Sequence, residues 1–333
     1  MIRRRRSECE QGSVLLYVVW AVLLLALFAA GVGSQALFAV ALPQRLTYGL
    51  QSAYIAQGAI SYLTLALERD PTPSVDGLGD PWNDDPGQFM QRPLAGGWFR
   101  VTAPPEAGAP VRYGMADEER RVNVNTAPAE ILARLFEVAG GMESREAAEV
   151  SAAIEDWRDE DEIQRPLGAE DFYYQSLREP YECKDAPLEN VEELLLIKGI
   201  SPELYRRIEP FVTVHGLGQI NLNTASATVL QTLDVSKPGL EGLLYFRAGE
   251  DNREHTADDR QLISTASLSS DLNTYVPVED IARLATLARQ GVVGTRSRAF
   301  RALIHAEHAG KSSRTEALCV LERGGTLRLW SQR

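Results

Sequence analysis

The stretch from Gln11 to Gln44, QGSVLLYVVWAVLLLALFAAGVGSQALFAVALPQ, carries no charged residue, and from Val14 to Val32 it is almost wholly apolar. A helix of about 20 such residues crosses the hydrocarbon core of a bilayer. Four consecutive arginines at positions 3–6 precede it. A basic flank of this kind stays on the cytoplasmic face, so the long remainder of the chain is expected on the other side.

Three ways of processing this segment are open. A secretory signal peptide has a short apolar region followed by a small-x-small cleavage site. Ala39-Val40-Ala41 has that form, but the apolar run is long for the class. An uncut signal anchor is the second. The third is a prepilin-type leader, cut directly after a glycine in front of the apolar helix. Gly12, followed by Ser13, stands at that place.

Working outward, the helical pattern outlasts the membrane span. Leu46, Leu50, Tyr54, Ile55, Ile60 and Leu63 recur at three- and four-residue steps among Arg45, Tyr48, Gln51 and Gln57. Gly49, Ala53, Ala56, Gly58 and Ala59 allow close packing. Pro43 is expected to kink the helix, and Asp70-Pro71-Thr72-Pro73 to end it near Arg69. Half membrane and half amphipathic, such a helix suits a filament subunit that packs against like helices.

Residues 70–96 are rich in Pro, Gly and Asp and read as a loop. Gly97–Thr102 reads as a strand, with Val111–Met115 as its partner and Arg121–Asn125 as a possible third. Near the far end, Ser297–His308, Glu316–Glu322 and Thr326–Trp330 read as strands, with Gly324-Gly325 as a turn. The stretch between reads mainly as helix. The expected organisation is α+β. A leader at 1–12 and a transmembrane and amphipathic helix at 13–69 precede the first part of an antiparallel sheet at 70–125. An all-α insertion at 126–292 and closing strands at 293–333 follow.

The insertion contains a repeat. Asn123-Val124-Asn125-Thr126-Ala127 returns as Asn221-Leu222-Asn223-Thr224-Ala225, at an offset of 98 residues. Trp157-Arg158 before one acidic loop corresponds to Phe246-Arg247 before another, and Val191–Leu194 to Val278–Ile281. Three matches in order point to duplication. The Asn and Thr side chains are expected to cap the helix that follows each motif, with Pro128 in a first turn.

Each acidic loop is a candidate cation site. In the first, Asp159, Asp161 and Glu170 fall at positions 1, 3 and 12 of a twelve-residue window, a spacing that can wrap oxygens round calcium. The match to an EF-hand loop is partial, since Gln164 stands where glycine would. In the second, Glu250, Asp251, Asp258 and Asp259 cluster within Gly249–Asp259. Solvated acidic loops would look the same in sequence.

The formal charge of −12 over 333 residues repels phosphate backbones and argues against nucleic-acid binding. Three cysteines, Cys9, Cys183 and Cys319, show no zinc-type spacing. Cys183 and Cys319 are expected as two lone buried thiols. His305 and His308 sit three apart on a strand and so face opposite sides. No nucleophile elbow or phosphate loop appears, and no enzyme is expected.

Taken together these residues resemble one family, the type II secretion system protein K, the large minor pseudopilin. The resemblance rests on the basic leader with Gly12, the apolar helix, Gly97-Trp98-Phe99 and Asp117–Ala127. It rests equally on Asp156–Asp161 with Gly168-Ala169-Glu170, and on Val191–Gly199. It implies a pilin-like sheet interrupted by a large helical domain, and calcium bound in that domain. It implies cleavage after Gly12 by a prepilin peptidase and methylation of Ser13. It also implies a single-pass inner-membrane subunit with its body in the periplasm, placed at the pseudopilus tip with other minor pseudopilins. The second loop resembles the Gly-x-Asp-Gly-x-x-Gly-Thr-Ala-Asp-Asp calcium loops of some pseudopilins, with Asn252 and His255 replacing the later glycines. Most pilins carry Glu at mature position 5, where Tyr17 stands here. A tip subunit has no neighbour above it whose amino terminus such a carboxylate would neutralise, and an unpaired buried carboxylate is costly.

Two rival readings remain. Lys198-Gly199-Ile200-Ser201-Pro202 and Gln219–Ala225 resemble helix-hairpin-helix segments of membrane-anchored, competence-type DNA receptors, although Ser201 replaces the second hairpin glycine. A type IV pilus tip subunit would share the leader and helix.

Overall fold

The computed structural model describes residues 8–105, 110–256, 258–308 and 314–332, and for residues 8–13 and 33–46 the backbone alone. Helix α1 runs from Glu8 to Glu68. It passes through Pro43 as one helix and ends one residue before the expected stop. Its distal half is the spine of the first core. Ile55, Ala56, Ala59, Leu63 and Leu67 are buried against Phe99, Val101, Phe300, Ile304, Cys319 and Leu321. The small Ala56 and Ala59 bring helix and sheet close, and Ser52 Oγ meets Thr315 Oγ1 at 2.7 Å.

Segment 70–96, read as loop, carries the short α2 (Pro86–Phe89) and strand β1 (Arg92–Leu94). Asp85 starts α2 by accepting the Gln88 amide. Then follow β2 (Gly97–Thr102), β3 (Ala116–Asp117) and β4 (Val122–Asn123). The second unit holds α3 (Ala129–Val138), α4 (Ser144–Arg158), α5 (Asp171–Gln175) and α6 (Pro202–Ile208). It continues with β5 (Val212–Thr213), β6 (Ile220–Asn221), α7 (Ala227–Gln231), α8 (Lys237–Arg247), α9 (Leu268–Leu272), α10 (Val278–Arg289) and β7 (Val293–Gly294). Strands β8 (Ala299–His308), β9 (Arg314–Glu322) and β10 (Leu327–Gln332) complete the chain.

The main sheet has the order β1-β2-β8-β9-β10, all antiparallel, with β3 also paired to β8. Along β8 the side chains of Phe300, Ala302, Ile304 and Ala306 alternate onto the α1 face. The α+β class, with a sheet split by a helical insertion, is the one expected from the sequence. Two strand readings are corrected. Val111–Met115 is not a strand, because β2 pairs with β1 and β8 and the turn residues around Gly114 leave no ladder there. Arg121–Asn125 does yield a strand, β4, but outside the main sheet, in a parallel pair with β5.

The repeat is visible as structure. β4 pairs with β5 and β6 with β7, both parallel, so each half of the insertion opens and closes on a two-residue ladder. Asn125 exchanges two hydrogen bonds with the Leu188 backbone at 2.8 Å each. Asn223 does the same with Leu262 at 3.1 and 2.8 Å. Arg158 donates to the carbonyls of Val124 and Ala127, and Arg247 to those of Leu222 and Ala225. The expectation of Asn/Thr helix caps is therefore corrected. Pro128 is the N-cap of α3 without a side-chain bond, and Ser226 caps α7. The asparagines instead staple distant backbone, while the arginines satisfy the carbonyls that each bend would otherwise strand.

Candidate functional site

Val14–Val32 is the one candidate membrane span among the described residues. Its mean hydropathy is 2.6 and none of it is buried within the chain. Beyond it, the α1 face opposite the sheet shows Leu50 (60% exposed), Tyr54 (68%) and Leu65. The helix thus offers apolar surface on the side its own sheet leaves open, at i, i+4 and i+15, which lie on one face. Gly12 and Ser13 lie in α1, where the backbone alone is described.

The two units meet at a polar hub. Asp117 Oδ2 accepts from Asn221 Nδ2 (3.1 Å), Thr224 Oγ1 (2.5 Å) and Ser297 Oγ (2.7 Å). Glu119 accepts the amides of Leu217, Arg298 and Ala299. Burial raises both carboxyls above their ordinary range. Although Glu118 is buried too, the Arg121 and Arg301 guanidiniums hold it down at about 2. Asp76 is pushed up to about 7, chiefly by burial, against the pull of Arg323. The carboxylates of Asp70, Asp76 and Asp80 also converge. Arg323 already lies there, 2.9 Å from Asp70 and 2.6 Å from Asp76, so that cluster carries its own cation.

Around the first acidic loop the residues separate. Asp161 is exposed, and its carboxylate accepts the Ile163 amide at 2.9 Å. Asp159 and the buried Asp156 share Arg165. Glu170 is only 4% exposed, and neither of its oxygens has a hydrogen-bond partner. Its ligand atoms lie within 4.8 Å of those of Cys183 and Asp185. Burial first, then the Asp156 carboxylate, push Glu170 up to about 7. Sequence spacing missed Asp185 and Cys183, which follow Glu170 across an unrelated turn and belong to no motif.

In the second loop Asp251, Asp258 and Asp259 converge. Thr256 Oγ1 lies 3.4, 2.8 and 3.2 Å from their respective oxygens. One hydroxyl carries one proton, so it serves one of the three at a time. The Thr256 hydroxyl, followed by the amides of Asp251 and Glu250 that Asp258 also accepts, holds the Asp258 carboxyl below the usual range. Glu250 stands apart, 4.0 Å from Arg260. Gly249, Asn252 and His255 all have positive φ, at +66°, +55° and +68°. The two replaced glycines therefore keep the left-handed backbone, and His255 is steadied by Asn83 at 2.8 Å.

Other residues singled out by the sequence have structural partners. Cys183 and Cys319 are both free and buried, each in a different core. Lys198 donates to the Leu167 and Gly168 carbonyls and sits over the Tyr173 ring, so it is engaged within the fold rather than held out for phosphate. His305 contacts Thr102 and Glu316, and the His308 ring lies tilted against Tyr48, 5.4 Å between centroids.

Residues 113–216 match the family model described as type II secretion system (T2SS), protein K. The type II secretion system protein K of Aeromonas hydrophila is 27% identical over 250 residues, covering 70% of this chain and 73% of that protein. The Klebsiella pneumoniae protein of the same name is 30% identical over 183 residues, covering 53% and 54%. Among solved structures, the chain resembles one from the GspK-GspI-GspJ complex of the enterotoxigenic Escherichia coli type 2 secretion system. The TM-score is 0.60 at 19% identity, over 91% of this chain and 99% of that one. At that identity the likeness is one of fold. The family resemblance read from the sequence is borne out.

Proposed function

We propose that this chain, which belongs to the type II secretion system protein K family and is a minor pseudopilin of that system, caps the tip of the pseudopilus. The role of the family is structural rather than catalytic. The observation that carries the tip position is where the insertion sits. At the end of α1 far from the apolar span, Arg323 binds the Leu67 carbonyl and Asp70, and the Asp76 amide bonds to Thr295. The helical unit is attached there, through β3 and β8. Subunits of a pilus-like filament stack along their long helices, so a bulky unit at the distal end occupies the place of a next subunit. Tyr17 at mature position 5 fits the same role.

The GspK-GspI-GspJ complex supports other minor pseudopilins as partners. Contact runs through the apolar span and the Leu50–Tyr54–Leu65 face. Cleavage after Gly12 by a prepilin peptidase, methylation of Ser13 and a periplasmic body complete the reading. The test is intact mass after co-expression with a prepilin peptidase. Loss of residues 1–12 is expected. A chain left whole, or cut after Ala41, overturns the reading.

Calcium is proposed as a structural ion in the helical unit. The unpartnered oxygens of Glu170, Asp185 and Asp159 suit a divalent cation, as does the convergence of Asp251, Asp258 and Asp259 on Thr256. Asp161 and Glu250 are dropped from the ligand set, because each carboxylate faces elsewhere. Bound calcium would neutralise carboxylates that otherwise repel one another and so would order both loops.

A further inference from the structure

The seat at Glu170 differs from the second loop in one chemical respect: its wall holds a thiol. Cys183 is 7% exposed, and its sulfur shares a 4.8 Å neighbourhood with oxygens of Glu170 and Asp185. The thiol makes a long contact to the Asp156 carbonyl, at 3.8 Å, and faces the Asp185 and Glu170 carboxylates. Four carboxylate oxygens nearby are buried without a hydrogen-bond partner: both of Glu170, Oδ1 of Asp185 and Oδ1 of Asp159. Buried acceptors left unpaired are costly, so the seat is set for a cation.

Its backbone is shaped to present these groups. Asp171 Oδ1 accepts the Cys183 amide at 2.6 Å, fixing the cysteine over the start of α5. Asp185, two residues on, has φ +49°, a left-handed conformation that a short polar side chain tolerates. Glu170 comes from the other side as the residue just before α5.

Calcium takes oxygen ligands and leaves sulfur unused. A thiolate with carboxylates suits zinc-class ions, with Zn–S near about 2.3 Å and Zn–O near about 2.0–2.2 Å. The ligand atoms lie within 4.8 Å of one another, close enough for side-chain rotation to bring them onto one ion. We propose that this seat selects a thiophilic divalent cation of the zinc class, held by the Cys183 thiolate with Glu170 and Asp185, and that this ion competes there with calcium. The inference rests on the reading that the seat binds a divalent cation at all, and deepens it by naming the ion class. On binding, the Cys183 S–H bond breaks, its proton goes to water, and the sulfur lone pair forms the metal bond. No oxidation or reduction is involved. Binding should therefore release protons and weaken at low pH.

The experiment titrates the full chain in detergent, stripped of metal, first with cobalt(II) and then with zinc or calcium. A thiolate-to-cobalt charge-transfer band that zinc removes is expected. Cys183→Ser should abolish the band and weaken zinc binding by about tenfold or more, with calcium stabilisation retained. Glu170→Gln should keep the band and weaken both ions. Cys319→Ser should behave as the unaltered chain, and circular dichroism would confirm that each variant is folded. A calcium response without a cobalt–thiolate band overturns the zinc assignment alone. No response to either ion overturns the cation seat itself. A band that survives Cys183→Ser overturns the assignment of its ligand.

Discussion

Arg247→Met tests the account of the duplicated motif most directly. Arg247 is 2% exposed, and its guanidinium donates to the carbonyls of Leu222 (3.3 Å) and Ala225 (2.6 Å) and to Glu254. Methionine keeps much of the stem's packing and removes every donor. Two buried carbonyls then lose their partners, at about 1–3 kcal/mol each. The variant also escapes the cost of burying a cation, visible as the lowered Arg247 pKa. Glu254 is partly exposed and rehydrates. The net loss should be about 2–4 kcal/mol. Arg158→Met, at the matching place in the first half, should cost about 1–2 kcal/mol, since that side chain is 14% exposed and water can reach the bend. The assay is native-state hydrogen exchange on the full chain in detergent, read at the amides of α3 and α4 for Arg158→Met and of α7 and α8 for Arg247→Met. At about 1.4 kcal/mol per tenfold, protection there should fall by about 30- to 800-fold. Protection within threefold of the unaltered chain, or a larger loss for Arg158→Met, would refute the clamp.

Two further outcomes follow from the first core and the hub. Ala59→Leu places a large side chain where the helix touches the sheet with no exposed surface, and overpacking should cost about 1–3 kcal/mol in urea denaturation. Asp76 keeps its proton up to about 7 when folded but loses it near 3.8 when unfolded. The folded state therefore binds the extra proton between those values. That contribution is complete below about pH 4 and is lost as pH rises through 7. Stability should fall across this window by up to about 1.4 kcal/mol per pH unit. Asp76→Asn should flatten the slope in denaturation midpoints taken from pH 4 to 8.

The sequence carried the fold where a pattern repeats over many residues. The apolar run, the three- and four-residue steps of α1 and the alternation along β8 each persist long enough to identify their element. Val111–Met115 failed for lack of that length: five residues with one glycine fit a strand, but no neighbouring edge was left for them. The motif at Asn123 and Asn221 was recognised as duplicated, yet its chemistry was not. Whether an asparagine caps the next helix or brackets Leu188, 63 residues on, depends on what the fold brings beside it. The acidic loops split the same way. Asp258 and Asp259 meet Asp251 because one tight loop carries all three. Glu170 finds Asp185 only through tertiary packing, and Asp161, nearer in sequence, turns to its own backbone.

The rung Asp117–Phe300 joins the last residue of β3 to the second residue of β8. Everything between leaves and returns through neighbouring points, about 5 Å apart as in any antiparallel pair. For the sheet, the whole helical unit is thus a detour between two positions that would touch without it. Such a detour sets few demands on its host, which is why folded units are accepted most readily where their own ends lie close together. The arrangement is that of a graft. It gives a route by which an ordinary filament subunit could gain a head in a single event, and a seam at which an engineer could exchange this head for another whose ends match the same rung.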